Sequence, residues 1–150
     1  VDNTYGAGLG GSVRPYLGWG TGFFDFDNDG WLDLFVANGH LYPQLDQHPS
    51  GLRYAQRNLL YRNVAGRFTE IGHSAGPGWS VVEVSRGAAL GDYDNDGDVD
   101  LLVMNMNAPP TLLRNDVGNR HNWLGLELEG VHSNRDGIGA RVAVTAGDLH

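Results

Sequence analysis

Residues 23–37 read FFDFDNDGWLDLFVA, and residues 90–104 read LGDYDNDGDVDLLVM. Each stretch crowds aspartates together and then runs straight into apolar, strand-like sequence. Like charges at that density repel, so something must offset the repulsion, and it must do so twice. Numbered from Asp25, carboxylates fall at positions 1, 3, 5 and 9 (Asp25, Asp27, Asp29, Asp33), with Gly30 at position 6. Numbered from Asp92, they fall at the same positions (Asp92, Asp94, Asp96, Asp100), with Gly97 at position 6. The shared form is D-x-D-N-D-G-x-x-D. Alternate carboxylates converge when the backbone curls around one centre, and glycine supplies the sharp turn.

A hard cation takes about six to eight oxygens at roughly 2.3–2.6 Å. Four carboxylates and the main-chain carbonyl of position 7 (Trp31, Asp98) come close to that number, and water completes the shell. Calcium at two sites therefore answers the crowding. Magnesium, with its strict octahedron and retained waters, fits less well. Zinc would want His or Cys ligands. An EF-hand would need a glutamate at position 12 and flanking helices, whereas position 12 is Val36 in one loop and Val103 in the other, and the flanks are β-like. The expected element is a calcium loop at the tip of a β-hairpin, closed by the position 9 aspartate. The bland alternative, an acidic turn that binds nothing, is weakened by the second copy in register. At position 7 of the second loop, the side chain of Asp98 is expected to point to solvent.

Composition agrees with an all-β chain. Nine of the 14 aspartates lie in the two stretches, so the net charge of −8 is local rather than spread over the surface. No basic stripe is present to neutralise phosphates, which argues against nucleic acid as a partner. No apolar run approaches the roughly 18 residues of a membrane span. The absence of cysteine excludes a disulfide framework and thiolate metal sites. The chain opens at Val1 without a signal-like segment, as expected of a mature chain or an excerpt. Short apolar runs between Gly, Asn and Asp clusters, without long helical periodicity, favour strands.

The two loops begin a repeat, 67 residues apart. The first loop is followed by NLLYRN and GRFTEI, the second by TLLRN and HNWLGLELEG. Strands are expected near 21–26, 32–37, 58–62 and 67–71, then near 87–92, 99–104, 111–114 and 122–128. Beyond the first loop, Leu32, Leu34 and Val36 share one face, while Asp33, Phe35 and Ala37 share the other. Beyond the second, Val99, Leu101 and Val103 oppose Leu102 and Met104. Strands apolar on both faces are buried on both, as in the stacked sheets of β-propeller blades, with a β-sandwich as the runner-up. A long insert, 39–57, has only 106–110 as its counterpart, and long loops inside compact domains are often functional.

D-x-D-x-D-G-x-x-D followed by L-x-V-x-N and a later N-L-L-Y-R-N resembles the FG-GAP/VCBS calcium repeat of integrin-type β-propellers, over about residues 20–116. GWGTGFFDFDNDGWLDLFVANGH, RGAALGDYDNDGDVDLLVMN, APPTLLRN and SNRDGIGARVAVTAG further resemble the ASPIC and UnbV (cartilage acidic protein 1-like) family, in which propeller repeats precede a small C-terminal β module. The resemblance implies a Gly-rich arm or the end of a preceding blade at 1–19, one repeat at 20–86, a second at 87–130 and the start of the module at 131–150. It implies an extracellular or cell-surface, calcium-stabilised scaffold for adhesion or for binding an extracellular protein or glycan. It carries ligand roles onto Asp25, Asp27, Asp29, Asp33 and the Trp31 carbonyl, and onto Asp92, Asp94, Asp96, Asp100 and the Asp98 carbonyl. It carries no catalytic residue.

Propellers have about four to eight blades, and two repeats make an incomplete one. Repeat units cannot bury their faces alone, so the chain is either a segment of something longer or a protomer whose copies cover each other's open blade faces in a polymer or filament. The Gly-rich start, YGAGLGGSVRPYLGWG, reads as a linker or a preceding blade's tail, with an arm reaching a neighbour as the alternative. A carbohydrate-active enzyme using His40, Tyr42, Asp46 and His48 of the insert is a further alternative. Spacing alone supports a metal or catalytic site there only weakly. No G-x-S-x-G elbow or Walker-type loop is present, and the G-x-G-x-x-G at Gly6, Gly8 and Gly11 lacks a strand-then-helix context. Trp19, Trp31, Trp79 and Trp123 would stack on sugars if exposed, but such residues more often fill cores.

Overall fold

The computed structural model describes residues 2–120, 123–132 and 134–145. Its strands are all antiparallel, and among the described residues helix is limited to three short 3-10 turns, at Pro43–Gln47, Pro77–Ser80 and Gly118–Arg120. The first blade contains β1 (Gly18–Phe24), β2 (Asp33–Asn38), β4 (Leu59–Val64) and β5 (Arg67–Glu70), adjacent in the order β1-β2-β4-β5. The second contains β7 (Ser85–Gly91), β8 (Asp100–Asn105) and β9 (Thr111–Leu113) in the order β7-β8-β9. A two-residue ribbon, β3 (Gln56–Arg57) with β6 (Val82–Glu83), ties the insert to the connection between blades. The sheets are propeller-type blades and, among the described residues, do not close into a ring.

The two faces of β2 explain the stacking. Phe35 and Ala37 join Phe24 and Leu60 of their own blade and Leu101 and Val103 of the next in one buried cluster. Trp79, on the connection between blades, packs its ring 5.9 Å from that of Phe35. Each fully buried large apolar side chain here contributes about 1.5–3 kcal/mol. On the opposite face, Val36, Leu59 and Tyr61 pack with Leu34, Phe68 and three residues of the N-terminal segment, Leu9, Val13 and Tyr16. The Gly-rich start therefore folds back over its own blade. The Phe68 N–H donates to the Ala7 carbonyl at 2.8 Å, and the hydroxyls of Ser12 and Tyr61 lie 2.8 Å apart. Gln56 donates its side-chain amide to the Pro15 carbonyl and accepts from the Leu17 N–H.

The blades approach most closely at β1 and β7. A Cβ on Gly20 would meet Gly87 Cα at 2.8 Å and the Ala88 nitrogen at 2.9 Å, so the absence of a side chain lets the two strands touch. At the end of β1 away from the aspartate loop, Arg86 donates to the carbonyls of Gly39 and His40 at 2.9 Å and lies 4.5 Å over the Trp19 ring.

The expected eighth strand near 122–128 is a correction. Residues 123–128 carry no strand, and residue 122 lies outside the described residues. The strand it would join, β9, is three residues long, because Asn115 turns at once to bond the second aspartate loop. Trp123 stands instead beside Gly97 of that loop. Among the described residues the second blade thus has three strands, with Leu102 and Leu112 40% and 45% exposed on its outer face. Of the expected C-terminal module, residues 134–145 contain turns and no strand, and residues 133 and 146–150 lie outside the described residues.

Candidate metal centre

Both loops are built by the same set of local hydrogen bonds. The position 1 carboxylate caps the turn: Asp25 accepts from the N–H groups of Asp29 at 3.0 Å and Gly30 at 2.7 Å. Asp92 accepts from Asp96 at 3.1 Å and Gly97 at 3.0 Å. The position 5 carboxylate accepts from the N–H two residues on, Trp31 to Asp29 at 2.9 Å and Asp98 to Asp96 at 3.0 Å. The turn needs two left-handed residues, and both loops place Asn at position 4 and Gly at position 6 there: Asn28 at φ 53° and Gly30 at 89°, Asn95 at 59° and Gly97 at 95°. Asn and Gly are the residues that visit this region most readily.

Position 9 is held from two sides. Asp33 is fully buried and accepts from the N–H of Phe26 at 2.9 Å and of Asn63 at 2.7 Å. Asp100 accepts from Tyr93 at 2.8 Å and Asn115 at 2.7 Å. A residue of the third strand in the first blade, and one just beyond it in the second, therefore fixes the closing carboxylate of each loop. Each carboxylate oxygen has a second lone pair, so these bonds orient the group without exhausting it.

The result brings Asp25, Asp27 and Asp33 together, one oxygen of each within 4.8 Å of the others, and does the same for Asp92, Asp94 and Asp100. Asp29 and Asp96 stand outside these trios. Among the described residues, these are the groups of three acidic, His or Cys side chains that could hold a metal ion. The insert's His40, Asp46 and His48 form no such group: His40 Nδ1 accepts from the Tyr42 N–H, with the two rings 5.8 Å apart, His48 Nδ1 from Ser50, and Asp46 from Tyr54.

The electrostatics favour a cation. Burial pushes the Asp33 carboxyl up to about 6, against the pull of the Asn63 and Phe26 N–H groups, and the charges of Asp27 and Asp29 add to the rise. Asp94 is raised by desolvation and then by repulsion from Asp96, Asp100 and Asp92, with Arg114 opposing. The oxygen-only donor set suits a hard ion, and in the first loop a guanidinium takes a cation's part. Arg62 Nη2 lies 2.8 Å from Asp27 Oδ2 and 3.1 Å from Asp29 Oδ2.

Asp98 is a correction. Its side chain does not point to solvent; it is 1% exposed and accepts from the Asn28 side-chain amide at 3.3 Å. The same amide reaches the Gly97 carbonyl at 3.4 Å, so the first loop is tied to the second. Asn115 makes a further tie, donating its side-chain amide to the Phe26 carbonyl at 2.6 Å. Trp19, Trp31 and Trp123 are all exposed, although Trp19 also donates to the Gly39 carbonyl and lies under Arg86, whereas Trp79 packs against Phe35.

The sequence reading missed Arg62, Arg114, Asn63 and Asn115. A signal was present: the dipeptide Arg-Asn recurs in both repeats, at 62–63 near the end of β4 and at 114–115 just past β9.

Stacked antiparallel blades whose first hairpins end in aspartate loops of the same form define a propeller-type repeat protein. Residues 25–103, more than half of the chain, match the FG-GAP-like repeat family, and the chain belongs to that family. Neither the curated proteins nor the solved structures give a significant match.

Proposed function

We propose that this chain is a calcium-stabilised scaffold segment that works outside the cell, with one ion in each aspartate loop. The observation that carries the reading is the pair of matching carboxylate trios, Asp25–Asp27–Asp33 and Asp92–Asp94–Asp100, oriented by matching backbone donors. Asp29, Asp96 and the carbonyls of Trp31 and Asp98 would complete the shells. The ion's role is structural: it offsets carboxylate repulsion and locks the loop that joins the first two strands of each blade. Sites of this kind in extracellular modules bind at about 10⁻⁴–10⁻³ M, matching calcium levels outside cells and not those of the cytosol. The exposed blade faces and loops would serve adhesion or the binding of a protein or glycan, with no catalytic step.

On this reading the repeats occupy 20–86 and 87–130, and the SNRDGIGARV stretch begins an ASPIC/UnbV-like module. The test is thermal unfolding in millimolar calcium and after chelation. Chelation should lower Tm by several degrees, and Asp100→Asn should shrink that difference by removing the second loop's share. Identical unfolding with and without calcium would sink the reading.

The outer face of the second blade favours a second reading. Leu102, Met104 and Leu112 are 40%, 52% and 45% exposed there, which fits a protomer of a self-assembling array. Solution mass in calcium decides between them: a 16.3 kDa particle supports the scaffold segment, and a large particle supports assembly.

A further inference from the structure

The two loops match in backbone and differ in charge. The first has four aspartates and Arg62, whose Nη2 contacts Asp27 and Asp29 together. The second has five aspartates, counting the buried Asp98. Its matching arginine, Arg114, is drawn aside: Nη2 lies 2.9 Å from Asp116 Oδ1, while Nη1 stays 3.9 Å from Asp94. Residue 64, which follows Asn63 as Asp116 follows Asn115, is Val64, so nothing equivalent draws Arg62 away. The two loops offer the same ligand carboxylates, but the Asp98 carboxylate adds a nearby negative charge that attracts a cation without binding it. In the first loop, a guanidinium ion-paired with two of those ligand carboxylates competes with the ion for them and repels its charge.

Resting on the calcium reading above, we infer that Arg62 is a built-in counter-ion of the first loop, and that the loops consequently fill in order, the second before the first. Without calcium the first loop is partly neutralised by its own chain. The second is left with its repulsion and depends more on the ion for its shape.

The test is calorimetric titration of the whole chain with calcium chloride. The wild type should show two steps. Asp92→Asn, which removes a ligand of the second loop, should leave the weaker step, and Asp25→Asn the tighter one. Arg62→Gln should tighten the first loop roughly two- to fivefold, the size expected for removing a partly exposed ion pair. Arg62→Lys, which keeps the charge, should leave that loop weak. Asp116→Asn should release Arg114 toward Asp94 and weaken the second loop. Should the ligand variants fail to fold, wild type against Arg62→Gln still decides, because the two steps should converge. Two equal sites in the wild type, or an isotherm unmoved by Arg62→Gln, would overturn this inference alone. No calcium heat in the folded wild type would overturn both it and the calcium reading.

Discussion

Asn28 on the first aspartate loop donates its side-chain amide to Asp98 on the second, at 3.3 Å, across 70 residues of chain. The bond lies where the two blades meet, and Gly118 closes over it, with room for no side chain beside Asp98 Oδ1. A hydrogen bond to a buried charged group contributes about 1.5–3 kcal/mol. Asn28→Gly keeps the left-handed backbone and deletes the amide, so it should lower stability by an amount in that range, read from urea unfolding. Asn28→Ala should cost about 1 kcal/mol more, because alanine is also strained at φ 53°. Equal costs for the two would show that the backbone conformation is not a constraint.

The contact between blades rests on one missing side chain. Gly20→Ala drives a Cβ into the backbone of Gly87 and should destabilise by about 1–3 kcal/mol. Gly87→Ala is the control from the same contact: its Cβ would have nothing within 4 Å. Differential scanning calorimetry should show a lower Tm for the first and an unchanged or slightly higher Tm for the second.

Arg57 and Glu70 form a two-pronged ion pair, with both nitrogens 2.9 Å from the carboxylate oxygens and both side chains about one-seventh exposed. Burial raises the Glu70 carboxyl, but the Arg57 and Gly72 hydrogen bonds and the charges of Arg57 and His73 together outweigh it and hold the group below its ordinary 4.5. A group depressed in the folded state stabilises above its unfolded value, and that contribution is lost as pH falls through the folded one. The difference in stability between wild type and Glu70→Gln should therefore be constant above about pH 5 and shrink steadily below it. A difference that stays flat to pH 3 would show that the pair contributes no pH-linked stability.

Tyr61 is fully buried between β4's neighbours and the N-terminal segment, with its hydroxyl 2.8 Å from that of Ser12. Tyr61→Phe should cost about 1 kcal/mol. Tyr61→Ala should cost about 3–5 kcal/mol. It should also loosen residues 5–16, seen as faster limited proteolysis within them. Unchanged cleavage would mean that the segment is held by its other bonds, such as Phe68 to Ala7.

The loops were legible because their chemistry is local. Position, spacing and glycine all lie within nine residues, and a second copy repeats them. The strands around them were legible for the same reason, from alternation at Leu34, Phe35, Val36 and Ala37. What the sequence hid was long-range. The burial of Asp98 depends on Asn28 in the other repeat. The ribbon of Gln56–Arg57 with Val82–Glu83 has two residues a side and no periodicity to read. The alternation at 123–128 looks like a strand, but β9 ends too soon to receive it. Alternation marks two faces; only a neighbouring strand makes them part of a sheet.

The N-terminal segment gives the molecule a direction. Leu9, Val13 and Tyr16 lie on the first blade's outer face, while the second blade's outer face carries nothing comparable among the described residues. A further sheet would find one end of the stack upholstered and the other bare. Docking at the first would have to evict the segment, break its bonds to Phe68, Tyr61 and Gln56, and refill the space its side chains leave. Docking at the second would meet no such barrier. Whatever extends this stack therefore meets unequal ends, and the cheaper direction of growth is from the second blade outward.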